Sequence, residues 1–162
     1  MKRTLCSLCL ALLLAACAGA PPSSTTPERR ALQGLSQRAA EAAMTAPHWA
    51  IPAEERVLLL APPRVDADLP IATDTFREAL TRALLGRDGG PQVLNWKPTA
   101  NESAAPDNQW ILESRLQTEG PILALSDRRL LPYRLELTLR RPGSDAPRWR
   151  YHIDGALDAS AL

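Results

Sequence analysis

The chain has 162 residues, of which 19 are lysine or arginine and 18 aspartate or glutamate, so its formal net charge is only +1. A balance this even leaves no electrostatic footprint for nucleic acid. Two histidines and three cysteines are too few for a clustered metal centre, and the length suits one domain with one real core.

The N-terminus comes first. Lys2 and Arg3 form a short positive segment, and Leu5 to Ala16 is uncharged and leucine-rich. That run has the length of a secretory apolar region and is too short to span a bilayer. It ends in Leu14-Ala15-Ala16-Cys17, which resembles the lipobox of bacterial lipoprotein precursors. The resemblance implies a signal peptide over 1–16, cut before Cys17. Cys17 would then carry a diacylglycerol and an amide-linked, palmitate-type acyl chain that hold it in a lipid bilayer. Each buried methylene is worth about 0.8 kcal/mol, so several chains together hold firmly. Ala18, standing where an aspartate would retain the protein at the inner membrane, implies sorting to the outer membrane with the domain facing the periplasm. Cleavage leaves 146 residues, with 17 basic against 18 acidic side chains and Cys17 as the last cysteine. The folded part therefore has no disulfide to form. Residues 17–27 read as the lipidated cysteine and a tether. From Cys17 to Pro27 the chain reaches at most about 33–36 Å.

Glu28 to Met44 reads as a helix within a segment 28–46. Thr26 is placed to cap it and Pro27 suits its first turn. Leu32, Leu35, Ala39 and Ala42 fall at helical spacing, but the stripe is thin and mostly alanine. Docking on the domain and lengthening of the tether both remain open. Pro47 and Pro52 bracket a connector holding His48 and Trp49.

A domain over 53–160 follows. Val57 to Leu60 is an apolar run that suits a buried strand. Arg64 to Ala72 reads as a loop. The spacing then predicts a helix over 74–85: Thr75 and Glu78 fit a capping box, with Thr73 and Asp74 as competing caps. Phe76, Ala79, Leu80, Ala83 and Leu84 make its apolar face, and Gly86 stops it. Pro91 to Trp96 reads as a second short strand and 97–108 as a polar loop. Three period-two strands come next. Trp110, Leu112 and Leu116 alternate with Glu113, Arg115 and Gln117; Tyr133, Leu135, Leu137 and Leu139 with Arg134, Glu136, Thr138 and Arg140; Trp149, Tyr151, Ile153 and Leu157 with Arg148, Arg150, His152 and Asp154. Such alternation marks antiparallel strands with one wet face. Pro142-Gly143-Ser144-Asp145 turns the last two into a hairpin, and 120–131 is a longer connection. The expected fold is α+β, two-layer: a mixed, mostly antiparallel sheet of about five strands with a helix packed on one face.

The chemistry in the chain is sparse, and the reading is not an enzyme. No nucleophile elbow, phosphate loop or dinucleotide glycine pattern occurs. The glycine-rich stretch 86–90 follows a helix, whereas a phosphate cradle precedes one. His152 and Asp154 share a strand face without a nucleophile beside them. Asp66, Asp68 and Asp74 cluster loosely, as paired acids of a cell-wall hydrolase would, but a polar loop and a helix cap explain them as well. No cofactor and no metal site is expected. Arg134, Arg140, Arg148 and Arg150 share a face with Arg115. This is either a solvated surface balanced by Glu113, Glu136 and Asp154, or a face that docks a protein, where arginine is favoured. Arg128 and Arg129 adjoin it. Trp96, Trp110 and Trp149 read as core, and Trp49 as the exposed one.

The segment from Val57 to Asp158 resembles the LpoB-like family of periplasmic lipoproteins. The likeness rests on Val57-Leu58-Leu59-Leu60, Ile71 to Leu80 leading into Leu84-Leu85, Gln92-Val93-Leu94-Asn95, and Tyr133 to Leu139 leading to Trp149. It implies the family's fold and a role in activating a penicillin-binding protein of peptidoglycan synthesis. Three features depart from the family pattern, the first being Pro62-Pro63-Arg64-Val65 where the family commonly has an asparagine-containing motif after the first strand. The polar stretch 97–108 stands where the family has a helix, and the tether is short. The short tether keeps an accessory or assembly lipoprotein of an envelope secretion, flagellar or lipid-transport system as the alternative.

Overall fold

The computed structural model describes residues 27–97 and 105–160. The lipobox, Cys17 and the segment up to residue 26 lie outside the described residues.

Helix α1 spans Pro27–Thr45. A 3-10 turn at Ala53–Glu55 leads into strand β1, Val57–Leu60. The short strand β2, Arg64–Val65, comes next, followed by helix α2 over Thr73–Leu85. Five further strands are β3 (Gln92–Asn95), β4 (Gln109–Thr118), β5 (Leu123–Ala124), β6 (Arg129–Arg140) and β7 (Pro147–Asp158).

The seven strands of the described residues form one sheet, with neighbours in the order β3, β1, β4, β6. β1 is parallel to both β3 and β4, and α2 carries the chain back along the sheet between β1 and β3. β4, β6 and β7 are antiparallel. The remaining two strands extend existing ranks. β2 pairs with β4 just past β1, matching Arg64 to Arg115. β5 pairs with β6 just past β4, matching Leu123 to Leu130. β6 gives its other edge to β7 from Leu130 to Arg140, so the sheet has five ranks, with β3 and β7 at its edges. The expected α+β fold is therefore the observed one, with two helices on the sheet.

Side-chain alternation decides the layers. On β6, Leu131, Tyr133, Leu135, Leu137 and Leu139 are buried, and the residues between them face away from the helices. Against this face α2 sets Phe76, Leu80 and Leu84, one every fourth residue and all 0% exposed. Its cap differs from the sequence expectation. Ala72 is the N-cap and makes no side-chain cap bond, while Asp74 pairs with Arg77 at 2.8 Å inside the first turn.

Helix α1 docks. Leu32, Leu35, Ala39, Ala40 and Ala43 are buried in the same core as α2 and the sheet. The alanines that make its stripe look thin allow close backbone approach to α2. Glu41 lies 3.8 Å from Arg87, while Arg29 and Leu32 line a groove with Thr75 and Ala79, so the two helices run in the same direction. Arg38 also donates to the buried Tyr133 hydroxyl, joining α1 to the sheet.

Trp49 is not exposed as expected. It is half-buried and meets Trp110 edge to face, with centroids 5.2 Å apart at 85°. Arg56 covers Trp49 at 4.4 Å and Arg141 covers Trp110 at 4.0 Å. This cation–π stack pins the connector to the start of β4.

Candidate functional site

The face of the sheet that no described helix covers, its helix-free face, carries the arginines that the sequence singled out. It is charged because β4, β6 and β7 alternate in register: Glu113 stands across from Thr138, Arg115 from Glu136 and Gln117 from Arg134. On the other side of β6, Glu136 faces His152 and Arg134 faces Asp154.

The four named arginines are not equivalent. Arg140 is 8% exposed; its Nε donates to Glu113 at 2.8 Å and its Nη1 to the Ser144 carbonyl at 3.3 Å. Its guanidinium also lies 5.3 Å from the Trp96 ring. Arg134 is held by Asp154 at 2.8 Å and Glu119 at 3.3 Å. That contact raises the Arg134 pKa and lowers the Asp154 pKa, chiefly through the hydrogen bond they share. Arg150 is exposed and pairs with Glu136 at 3.1 Å. Arg148 is exposed at a register shift, where Leu139 matches Trp149 but Arg140 matches Pro147. The extra residue of that bulge leaves it outside the ladder.

A cleft of about 710 Å³ crosses this face. Its walls are Pro62 and Pro63 of the β1–β2 connection, Arg64 at the start of β2, and Trp96 after β3. Its floor is formed by Glu113, Arg115, Glu136, Thr138 and Arg140, and Asp145, Pro147 and Arg150 close the far side. Two of its four arginines are neutralised, Arg140 by Glu113 and Arg150 by Glu136. Arg64 and Arg115 stand directly opposite each other on β2 and β4. Both are exposed, and neither has a carboxylate within ion-pairing distance among the described residues. Like charges placed side by side repel, so the pair favours an anion that bridges them.

Sequence reasoning missed Arg64, Trp96 and Asp145 as parts of this site. Arg64 reads as a loop residue, since nothing local shows that β2 will pair with β4 fifty residues later. The alternation of Arg64 and Val65 after two prolines was the only hint.

The loop acids do not come together as a catalytic pair. Asp66 accepts from the Asp68 N–H at 3.5 Å and from Thr118 Oγ1 at 3.2 Å. These bonds, the Asp68 N–H foremost, lower its pKa and favour the carboxylate over a proton-donating acid. Asp74 is engaged with Arg77 on the helix. Among the described residues, no helix is long and apolar enough to cross a membrane.

No protein-family model matches the chain, and no curated protein does. Solved structures do. The LpoB C-terminal domain from Escherichia coli aligns over 76% of this chain and 97% of its own, with a TM-score of 0.50 at 13% identity. The chain shares the fold of that domain. The LpoB C-terminal domain from Salmonella enterica aligns over 78% of this chain and 98% of its own at 17% identity, with a TM-score of 0.41. Lipoprotein GNA1162 from Neisseria meningitidis aligns over 65% and 85% at 13% identity, with a TM-score of 0.42. Identity this low transfers no side chain.

Proposed function

We propose that this protein is a non-enzymatic binding module of the bacterial envelope, anchored to the outer membrane by lipid on Cys17, that docks an acidic segment of a partner protein in the cleft of its helix-free face. The observation that carries the reading is the pair Arg64 and Arg115. It places side by side, in a cleft large enough for a peptide segment, two guanidinium groups that have no carboxylate within ion-pairing distance among the described residues. Arginine forks bind carboxylates in two-point fashion, which supplies register as well as charge. Of the four arginines named from the sequence, Arg148 and Arg150 lie exposed for such a contact. Arg134 is engaged with two acids, and Arg140 braces the cleft floor through Glu113.

The sequence resemblance puts a penicillin-binding protein of peptidoglycan synthesis first among partners. Binding would regulate it by favouring its active state, which requires tighter binding to that state than to the inactive one. A titration of the chain from residue 18 onward against such a purified synthase tests this. Arg64→Glu with Arg115→Glu should weaken binding at least tenfold, while Arg82→Glu on the exposed side of α2 should leave it unchanged. No binding by the unaltered chain refutes the synthase as partner, and equal loss in both variants refutes the cleft.

The docking of α1 favours a second reading. Because α1 packs into the core, it adds nothing to the reach of the tether. The domain then stays within about 33–36 Å of the lipid, the extended length of ten residues. That suits an accessory or assembly lipoprotein whose partner itself approaches the outer membrane. Crosslinking in cells from a photoreactive residue at Thr138 separates the two by the identity of the captured protein.

A further inference from the structure

The end of the sheet that carries the β5–β6 hairpin exposes an apolar cluster that no described residue covers. Ile122, Leu123 and Leu125 are 42%, 50% and 51% exposed. Three of the six large exposed apolar side chains among the described residues thus fall within four consecutive positions. The local chain explains their display. Gly120, at φ 155°, and Pro121 interrupt the β4 rank, and Leu123 and Ala124 then re-pair with β6. The Leu125 N–H donates to the Arg128 carbonyl at 2.8 Å and closes the turn. The hairpin therefore stands beyond Thr118 and Tyr133, the last rung between β4 and β6.

The first turn of α1 lies at this same end. α2 starts here, after β2, because it must return along the sheet before β3 pairs with β1. α1 runs in the direction of α2, with Glu41 beside Arg87 at the far end, so Pro27 is at the hairpin end. We infer that this hairpin is the membrane-facing tip of the domain, with Ile122, Leu123 and Leu125 entering the interfacial layer of the lipid leaflet that holds Cys17. The inference rests on the lipid-anchor reading above. The ten residues from Cys17 to Pro27 hold this end within about 33–36 Å of the lipid. Leu85, at the other end of α2, is exposed on the side away from it.

Charge adds little to the contact. Arg128 is neutralised by Asp127 at 2.6 Å, and the remaining charges at this end are of both signs. Three side chains would not hold a free domain to a bilayer. The lipid anchor makes the contact intramolecular, so even a weak insertion is populated and orients the domain.

The test uses the full lipidated chain in phosphatidylethanolamine–phosphatidylglycerol vesicles. Leu123→Cys is labelled with an environment-sensitive dye, and Ser144→Cys in the opposite hairpin serves as the comparison. At position 123 we expect a blue-shifted emission, quenching by spin-labelled lipid, and no change on adding 0.5 M salt (about a 4 Å screening length). At position 144 the dye stays water-exposed. A dye at 123 that aqueous iodide quenches as readily as at 144 overturns the inference, and so does concentration-dependent self-quenching that reports pairing of two tips. Mass measurement of the Cys17 peptide and vesicle flotation are read in parallel. A chain without lipid refutes the anchor reading and this inference with it, whereas a floating, lipidated chain with a wet tip refutes this inference alone.

Discussion

Gly155→Ala is expected to destabilise the domain through one side chain, Tyr133. Gly155 sits on β7 directly across from Tyr133 on β6, and the missing side chain gives the ring its room. A Cβ at 155 would stand 2.5 Å from Tyr133 Oη, 2.7 Å from Cζ and 3.0 Å from Cε1. Carbon atoms normally meet at about 3.5–4.0 Å, so the overlap is roughly 1 Å over several atoms. Tyr133 is 1% exposed and its hydroxyl is held by Arg38 of α1, so the ring has no free direction in which to yield. Overpacking of this kind costs about 1–3 kcal/mol, offset by about 0.4–1 kcal/mol from the stiffer unfolded chain. A net loss of about 1–2 kcal/mol lowers the melting temperature by roughly 4–8 °C for a domain of this size. Thermal and urea unfolding measure it, alone and in a Tyr133→Leu background. There the added methyl should cost less than about 0.5 kcal/mol, because the clash is gone. Amide exchange should also quicken across α1 in Gly155→Ala. An equal loss in both backgrounds, or a gain in stability, would refute the reasoning.

Phe76→Ala removes a fully buried ring from the contact of α2 with the sheet, and urea unfolding should show a loss of about 3–5 kcal/mol. Arg140→Ala strands Glu113 beside a lost guanidinium and should cost about 2 kcal/mol, whereas Arg148→Ala on the exposed bulge should stay within about 0.5 kcal/mol. Comparing their melting temperatures separates bracing from surface arginines. The carboxylates of Asp66 and Asp154 have lowered pKa values in the folded state, through bonds to the Asp68 N–H and to Arg134 respectively. Their contribution is present above the ordinary aspartate value of about 3.9 and is lost as pH falls through the lowered folded values. Melting temperature should therefore drop below about pH 4, and less steeply in Asp66→Asn and Asp154→Asn. Trp49→Ala unstacks Trp110 and frees Arg56, with an expected loss of about 1–3 kcal/mol and a changed tryptophan emission.

By itself the sequence determined what local physics controls. The period-two runs of β4, β6 and β7 place Leu135 and Arg134 on opposite faces whatever lies around them, because a strand alternates by geometry. The helical spacing of Phe76, Leu80 and Leu84 marks α2 in the same way, and together these read out the α+β class and the arginine face. Tertiary structure decided whatever depends on partners distant in the chain. The alanine stripe of α1 is too thin to show whether the helix docks, and only its close fit against α2 and the Arg38–Tyr133 bond answered that. Trp49 sits in a proline-bracketed connector and looks exposed until Trp110 and Arg56 close over it. The four arginines look alike as text, yet Glu113, Glu136 and Asp154 neutralise three of them across strands. Arg64 and Arg115, which have no carboxylate within ion-pairing distance among the described residues, are set side by side by the pairing of β2 with β4, a partnership between segments about fifty residues apart. Charge is written in the sequence, but whether a charge is compensated depends on distances that only the folded chain sets.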